Sequence, residues 1–108
     1  MIDNYQIFYD FAYELAKLAY SLDEVPVGSV IINDKTHEVI SSSHNQLKSN
    51  NSSIDHAEIL ALRLAMFRLK NERLNGCSMI STLEPCPMCA QAISLSLIHI
   101  SEPTRLNP

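Results

Sequence analysis

An α/β sandwich, with helices covering a sheet whose strand ends carry the chemistry, is the fold class this sequence predicts. Three observations carry the expectation. Apolar residues recur at helical spacing in separate stretches, short β-branched or apolar runs lie between them, and the resulting order is α-β-β-α-β-α. The 108 residues suffice for one small domain, and neither repeats nor low-complexity segments suggest a second.

Residues 2–20 read as an amphipathic helix, because Tyr5, Phe8, Ala12, Leu15 and Ala19 form one apolar stripe. Its aromatic residues are expected in the core. Pro26 ends any continuation, and Val30-Ile31-Ile32 is a β-branched strand. Asn33-Asp34-Lys35-Thr36 is a turn, and residues 38–41 are the antiparallel return strand. Residues 42–53, rich in Ser and Asn and without a period, form a surface loop long enough to be functional. A second helix runs over 56–70, apolar around most of its circumference through Ala57, Leu60, Ala61, Leu64, Ala65 and Phe67, so burial on more than one side is expected. Asn75-Gly76 punctuates before a third strand over 77–82. A third helix starts near Cys86, after Pro85, and includes Ala90, Ala92 and Ile93. Met79 and Met88 are assigned to the core. Residues 97–108 contain two prolines and show no strand pattern, which leaves the 77–82 strand as a bare sheet edge.

Composition excludes several classes. With 46% hydrophobic and 19% charged residues the chain is globular rather than disordered. Its apolar runs are too short and interrupted to cross a membrane, and the N-terminus shows no secretory signal. Three cysteines, two of them at ligand spacing, suit a reducing cytoplasm. A net charge of -4 is mildly against a broad nucleic-acid-binding surface, although Arg63, Arg68, Lys70 and Arg73 cluster.

The chemistry concentrates in Thr82-Leu83-Glu84-Pro85-Cys86-Pro87-Met88-Cys89. On a helix starting at the prolines, Cys86 and Cys89 lie about one turn apart, in the positive field of the helix N-terminus that favours thiolates. By itself Cys-x-x-Cys is ambiguous between a redox pair and half a zinc site. His56-Ala57-Glu58 supplies the partner: one imidazole and two thiolates leave a fourth position open, as catalytic zinc is held. Glu58, two residues from the ligand, can act on a proton without occupying the metal. It has a competing role, in which Asp55 caps the helix and Glu58 completes a carboxylate version of the capping box. Cys77 also competes, since a fourth sulfur would close the site into a structural one. Its apolar setting makes it a small buried hydrophobe. His37, His44 and His99 are not needed as ligands.

The combination of H-x-E with P-C-x-x-C is the known signature of zinc-dependent nucleobase deaminases. Together with Glu24-Val25-Pro26-Val27-Gly28-Ser29, His44-Asn45, His56-Ala57-Glu58-Ile59-Leu60-Ala61 and Leu74-Asn75-Gly76-Cys77, the chain resembles the bacterial tRNA-specific adenosine deaminases over residues 11–93. Guanine and cytosine deaminases of the same superfamily are alternatives. The resemblance implies a three-layer α/β/α sandwich of the cytidine-deaminase type, and hydrolytic conversion of the wobble adenosine of tRNA to inosine. His56, Cys86 and Cys89 match the zinc ligands, one zinc per chain, and Glu58 matches the proton shuttle. Asn45 matches a residue that hydrogen-bonds the target base, and Val27 and Gly28 lie in a segment walling the pocket. The implied partners are a tRNA anticodon loop and a second copy in a homodimer; the implied location is cytoplasmic.

The family continues beyond this chain with two further strands and a basic helix. The expected deaminase domain is therefore 1–96, incomplete, with 97–108 a tail that matches no part of the family. A non-catalytic zinc-binding fragment is the alternative outside the enzyme class.

Overall fold

The computed structural model, which describes residues 5–101, places strand β1 (Gly28–Asn33) at the centre of a four-stranded sheet. The chain runs α1 (Gln6–Ser21), β1, β2 (Val39–His44), α2 (Leu47–Asn50), α3 (Ala57–Leu69), β3 (Cys77–Ser81), α4 (Pro87–Leu95), β4 (His99–Ser101). The sheet order is β2-β1-β3-β4; β1 is antiparallel to both neighbours and β4 is parallel to β3. Alternation along β1 divides the core in two. Val30 and Ile32, with Ile80 of β3, face Ala12 of α1. Ile31 and Met79 face the other way, onto Ala61, Leu62 and Ala65 of α3 and Ile93 of α4. A strand buried on both faces reads as a continuous apolar run, as Val30-Ile31-Ile32 does. The result is the three-layer α/β/α sandwich expected.

Helix α1 buries Ala12, Ala16 and Ala19, the small members of its stripe, so the helix lies close on the sheet. Gly28 marks how close. A Cβ there would sit 2.1 Å from the Ala12 carbonyl oxygen and 2.9 Å from the Leu15 Cβ. Gly28→Ala is therefore expected to push α1 off the sheet, with an overpacking loss of about 1–3 kcal/mol or more. A thermal melt reads this as a midpoint lowered by on the order of 5–20 °C.

Of the aromatic residues of α1, Phe8 and Tyr9 pack against the core as expected, and two others correct the expectation. Tyr13 and Tyr20 are 60% and 73% exposed, because the alanines already fill the narrow space over the sheet. Phe67 of α3 is likewise 79% exposed and Leu64 is exposed, so α3 buries one face and not most of its circumference. Met79 is fully buried as expected, whereas Met88 lies at the surface.

Two elements were not legible in the pattern. Helix α2 falls inside the expected 42–53 loop, and β2 extends into the same segment as far as His44. Strand β4 forms where no strand pattern was found: Ser78, Met79 and Ile80 pair with His99, Ile100 and Ser101. The expected bare edge on β3 is thus covered over those residues, and the Tyr9 hydroxyl meets the Ser101 hydroxyl at 3.1 Å. Three residues are too few to show a period, and here tertiary pairing decides the conformation. The first residues of the expected opening helix, 2–4, and the tail at 102–108 lie outside the described residues. No helix among the described residues is long and apolar enough to cross a membrane.

Candidate metal centre

Two helix N-termini converge on the same end of the sheet. His56 is the N-cap of α3 and Glu58 lies in its first turn; Cys86 is the N-cap of α4, Pro87 opens that helix, and Cys89 follows one turn on. Proline suits the first helical position, where no N–H is needed. Both sulfurs thereby stand at the positive end of α4. His56 Nδ1 is 3.6 Å from Cys86 Sγ and 3.5 Å from Cys89 Sγ, and the three donor atoms lie within 4.8 Å of one another.

These distances fit one ion. With metal–nitrogen and metal–sulfur bonds of about 2.0–2.1 and 2.3 Å, tetrahedral zinc separates nitrogen from sulfur by about 3.6 Å. The donor set, one imidazole and two thiolates, is also the borderline-soft set that zinc takes. Burial, and then the Glu58 carboxylate, hold the Cys89 thiol well above its ordinary range in the metal-free chain. A divalent cation inverts that preference, since a coordinating thiol is deprotonated outright.

Glu58 stands beside this set and outside it. Its carboxylate is buried; one oxygen lies 3.8 Å from Cys89 Sγ and the other 3.4 Å from the Ser81 hydroxyl. The capping-box role does not hold. Asp55 accepts from the Asn50 amide and the Ser52 hydroxyl, at 2.8 and 3.0 Å, and it is Asn45 Oδ1 that accepts the Ala57 N–H at 2.7 Å and caps α3. A closed site through Cys77 does not hold either. Cys77 begins β3 and Ser81 ends it, roughly 13 Å apart at strand rise. Cys77 instead packs in the core with Ile31, Leu74 and Met79. Arg68 of the basic cluster donates to the Ile40 carbonyl at 2.9 Å, tying α3 to β2.

The remaining residues singled out by resemblance meet around Asn45. The Asn45 N–H donates to the Val27 carbonyl at 3.2 Å, and Val27 and Asn45 are both buried. Gly28 exchanges bonds with Thr82: its N–H donates to the Thr82 hydroxyl and its carbonyl accepts the Thr82 N–H, both at 3.1 Å. Val27, Gly28, Asn45 and the strand leading to Cys86 therefore form one connected edge. Sequence reasoning missed Ser81 and Glu24. A polar residue ending an apolar strand, and a carboxylate directly before Val25-Pro26-Val27-Gly28, were the available signals.

Comparison with known proteins agrees with this geometry. The family described as the cytidine and deoxycytidylate deaminase zinc-binding region matches residues 2–101. The chain is 44% identical over 85 residues to a tRNA-specific adenosine deaminase of Rickettsia typhi, covering 79% of this chain and 57% of that one. It is 42% identical over 84 residues to the Bacillus subtilis protein of the same name, covering 78% and 51%. The chain thus spans a little over half the length of these curated relatives. Among solved structures, one from work on A-to-I editing by tRNA:A34 deaminases superposes with a TM-score of 0.84 at 41% identity, covering 89% of this chain and 72% of that one. A guanine deaminase from Bacillus subtilis gives 0.83 at 30% identity, covering 91% and 62%.

Proposed function

The chain belongs to the cytidine and deoxycytidylate deaminase family, and on that premise we propose that it carries the catalytic centre of a zinc-dependent deaminase converting adenosine to inosine at the wobble position of tRNA. The observation that carries this reading is a buried carboxylate, Glu58, set beside a His-Cys-Cys donor group but not part of it. The higher identity to the tRNA adenosine deaminases than to the guanine deaminase supports adenosine in RNA as substrate.

His56 Nδ1, Cys86 Sγ and Cys89 Sγ would hold the metal. Zinc, when bound in such a site, supplies a Lewis acid that brings the pKa of water towards neutrality. Glu58 takes the proton of the attacking water and returns it to the departing amine. A C6–O bond forms, the C6–N bond breaks, and ammonia leaves. Ser81 holds the far oxygen of Glu58 so that the near one faces the donor group. Asn45 uses its Oδ1 on Ala57, which leaves its amide N–H groups to donate to the base. Val27 and Gly28 form part of the adjoining wall. The substrate is an anticodon loop, a reading supported by the tRNA-modifying relatives; the pairing as a homodimer and the cytoplasmic setting follow from the family resemblance alone.

The test is inosine formation by the zinc-loaded chain on an anticodon stem-loop carrying adenosine at the wobble position, with free guanine and cytosine assayed alongside. Inosine from the stem-loop alone is expected. Xanthine or uracil formation without inosine would reassign the substrate.

A further inference from the structure

Glu24 is a buried carboxylate, 6% exposed, and among the described residues it forms no ion pair. Its partners lie across the fold, in α2. Its two oxygens accept the Lys48 N–H at 3.2 Å, the Ser49 N–H at 2.8 Å and the Ser49 hydroxyl at 3.0 Å. Burial opposes its ionisation, but the main-chain N–H groups of Ser49 and Lys48 and the Ser49 hydroxyl outweigh that and hold the carboxyl below the ordinary glutamate value. A four-residue helix has no stability of its own. Glu24 supplies from a distance the N-terminal acceptor that α2 lacks locally.

The backbone of Glu24 is itself fixed. Helix α1 ends in a Schellman arrangement: Asp23, at φ 64, donates to the Tyr20 carbonyl at 3.1 Å, and the Glu24 N–H reaches back to Ala19 at 2.9 Å. The segment it grips is closed at its base. Gln46 N–H donates to the Asp55 carbonyl at 3.1 Å, and Asn45 and Ala57 are joined as described above. At one end of the loop stands Asn45 and at the other His56. A carboxylate on a rigid helix end thus holds the loop that joins the base-facing amide to the first metal ligand.

We propose that Glu24 is a positioning residue for the reaction: it clamps residues 46–55 and thereby sets the Asn45 amide against the start of α3. This rests on the reading given under Proposed function, in which Asn45 contacts the base. Asp23, one residue earlier, supplies a natural contrast. It also reaches the loop, through Lys48 Nζ at 3.0 Å, but that pair is exposed at both ends, and such pairs contribute little.

The test uses the zinc-loaded full chain and compares Glu24→Gln, Glu24→Asp and Asp23→Asn by amide hydrogen exchange and steady-state kinetics on the stem-loop. In Glu24→Gln, protection at Lys48, Ser49 and Ala57 is expected to fall about tenfold or more, with protection in Cys77–Ser81 unchanged. The KM should rise about tenfold while kcat stays within about twofold and zinc stoichiometry is kept. Glu24→Asp should recover part of the protection, because the charge remains, and it carries the same test should the Gln variant not fold. Asp23→Asn should match the parent chain. Unchanged protection at Ala57, or an equal loss throughout β1 and β3, overturns the proposal. A parent chain that deaminates no RNA overturns the functional reading instead, and exchange at Ala57 still decides the clamp.

Discussion

Replacing Glu58 with Gln is expected to lower turnover about 10²–10⁴-fold, the range that a positioned proton-transfer group contributes. The side chain keeps its length, so the Ser81 hydroxyl and the donor group keep a neighbour of the same shape. What is lost is the ability to take a proton from water and return it to the leaving amine. Zinc content measured by elemental analysis should stay at one per chain, because Glu58 lies outside the set formed by His56, Cys86 and Cys89. Loss of helix α3 together with the metal, with normal turnover in whatever refolds, would show that the carboxylate only stabilises the fold.

The second large effect falls on the metal. Cys89→Ser should reduce zinc occupancy to near zero, since removing a ligand exceeds the roughly 10–100-fold loss that follows removal of an outer partner. Cys77→Ala, one strand-length away, should retain full occupancy. Binding in the parent chain should weaken as pH falls, because the Cys89 thiol must give up its proton. The sign follows from Cys89: burial and the Glu58 carboxylate keep this thiol protonated at neutral pH in the metal-free chain, so its proton leaves on binding. The linkage for the metal-free fold runs the other way. A thiol raised above its ordinary 9.0 leaves stability intact below that value and lost as pH climbs beyond it. Zinc titrations with a competing chelator at pH 6 and pH 8 read the first effect, and denaturant midpoints of metal-free protein between pH 8 and pH 10 read the second. Full zinc retention by Cys89→Ser would dismantle the assigned ligand set.

How the fold arises explains which of these sites could be read in advance. The α1 stripe, the β-branched run of β1, the Asn33 turn and the start of α4 at Pro87 are local signals, each contained within one continuous stretch of chain. His56, Glu58, Cys86 and Cys89 were also legible, because ligand chemistry constrains both residue type and spacing. Of the first helix's aromatics, Tyr5, Phe8 and Tyr9 pack against the core as expected, whereas Tyr13 and Tyr20 misled: apolar character does not say which side of a crowded helix faces the sheet, and there the alanines took that side.

By itself, then, the sequence determined the α/β layering, the donor set and the carboxylate beside it, since periodicity and ligand spacing are written in neighbouring residues. Only the tertiary structure decided that Asn45 rather than Asp55 caps α3, that Ser81 backs Glu58, and that Glu24 holds α2. It also decided that β4 pairs with β3. The physical reason is common to all four. Each depends on a hydrogen bond or a strand register between segments 12 to 25 residues apart, and such partners are selected by packing against the sheet, which no local pattern records.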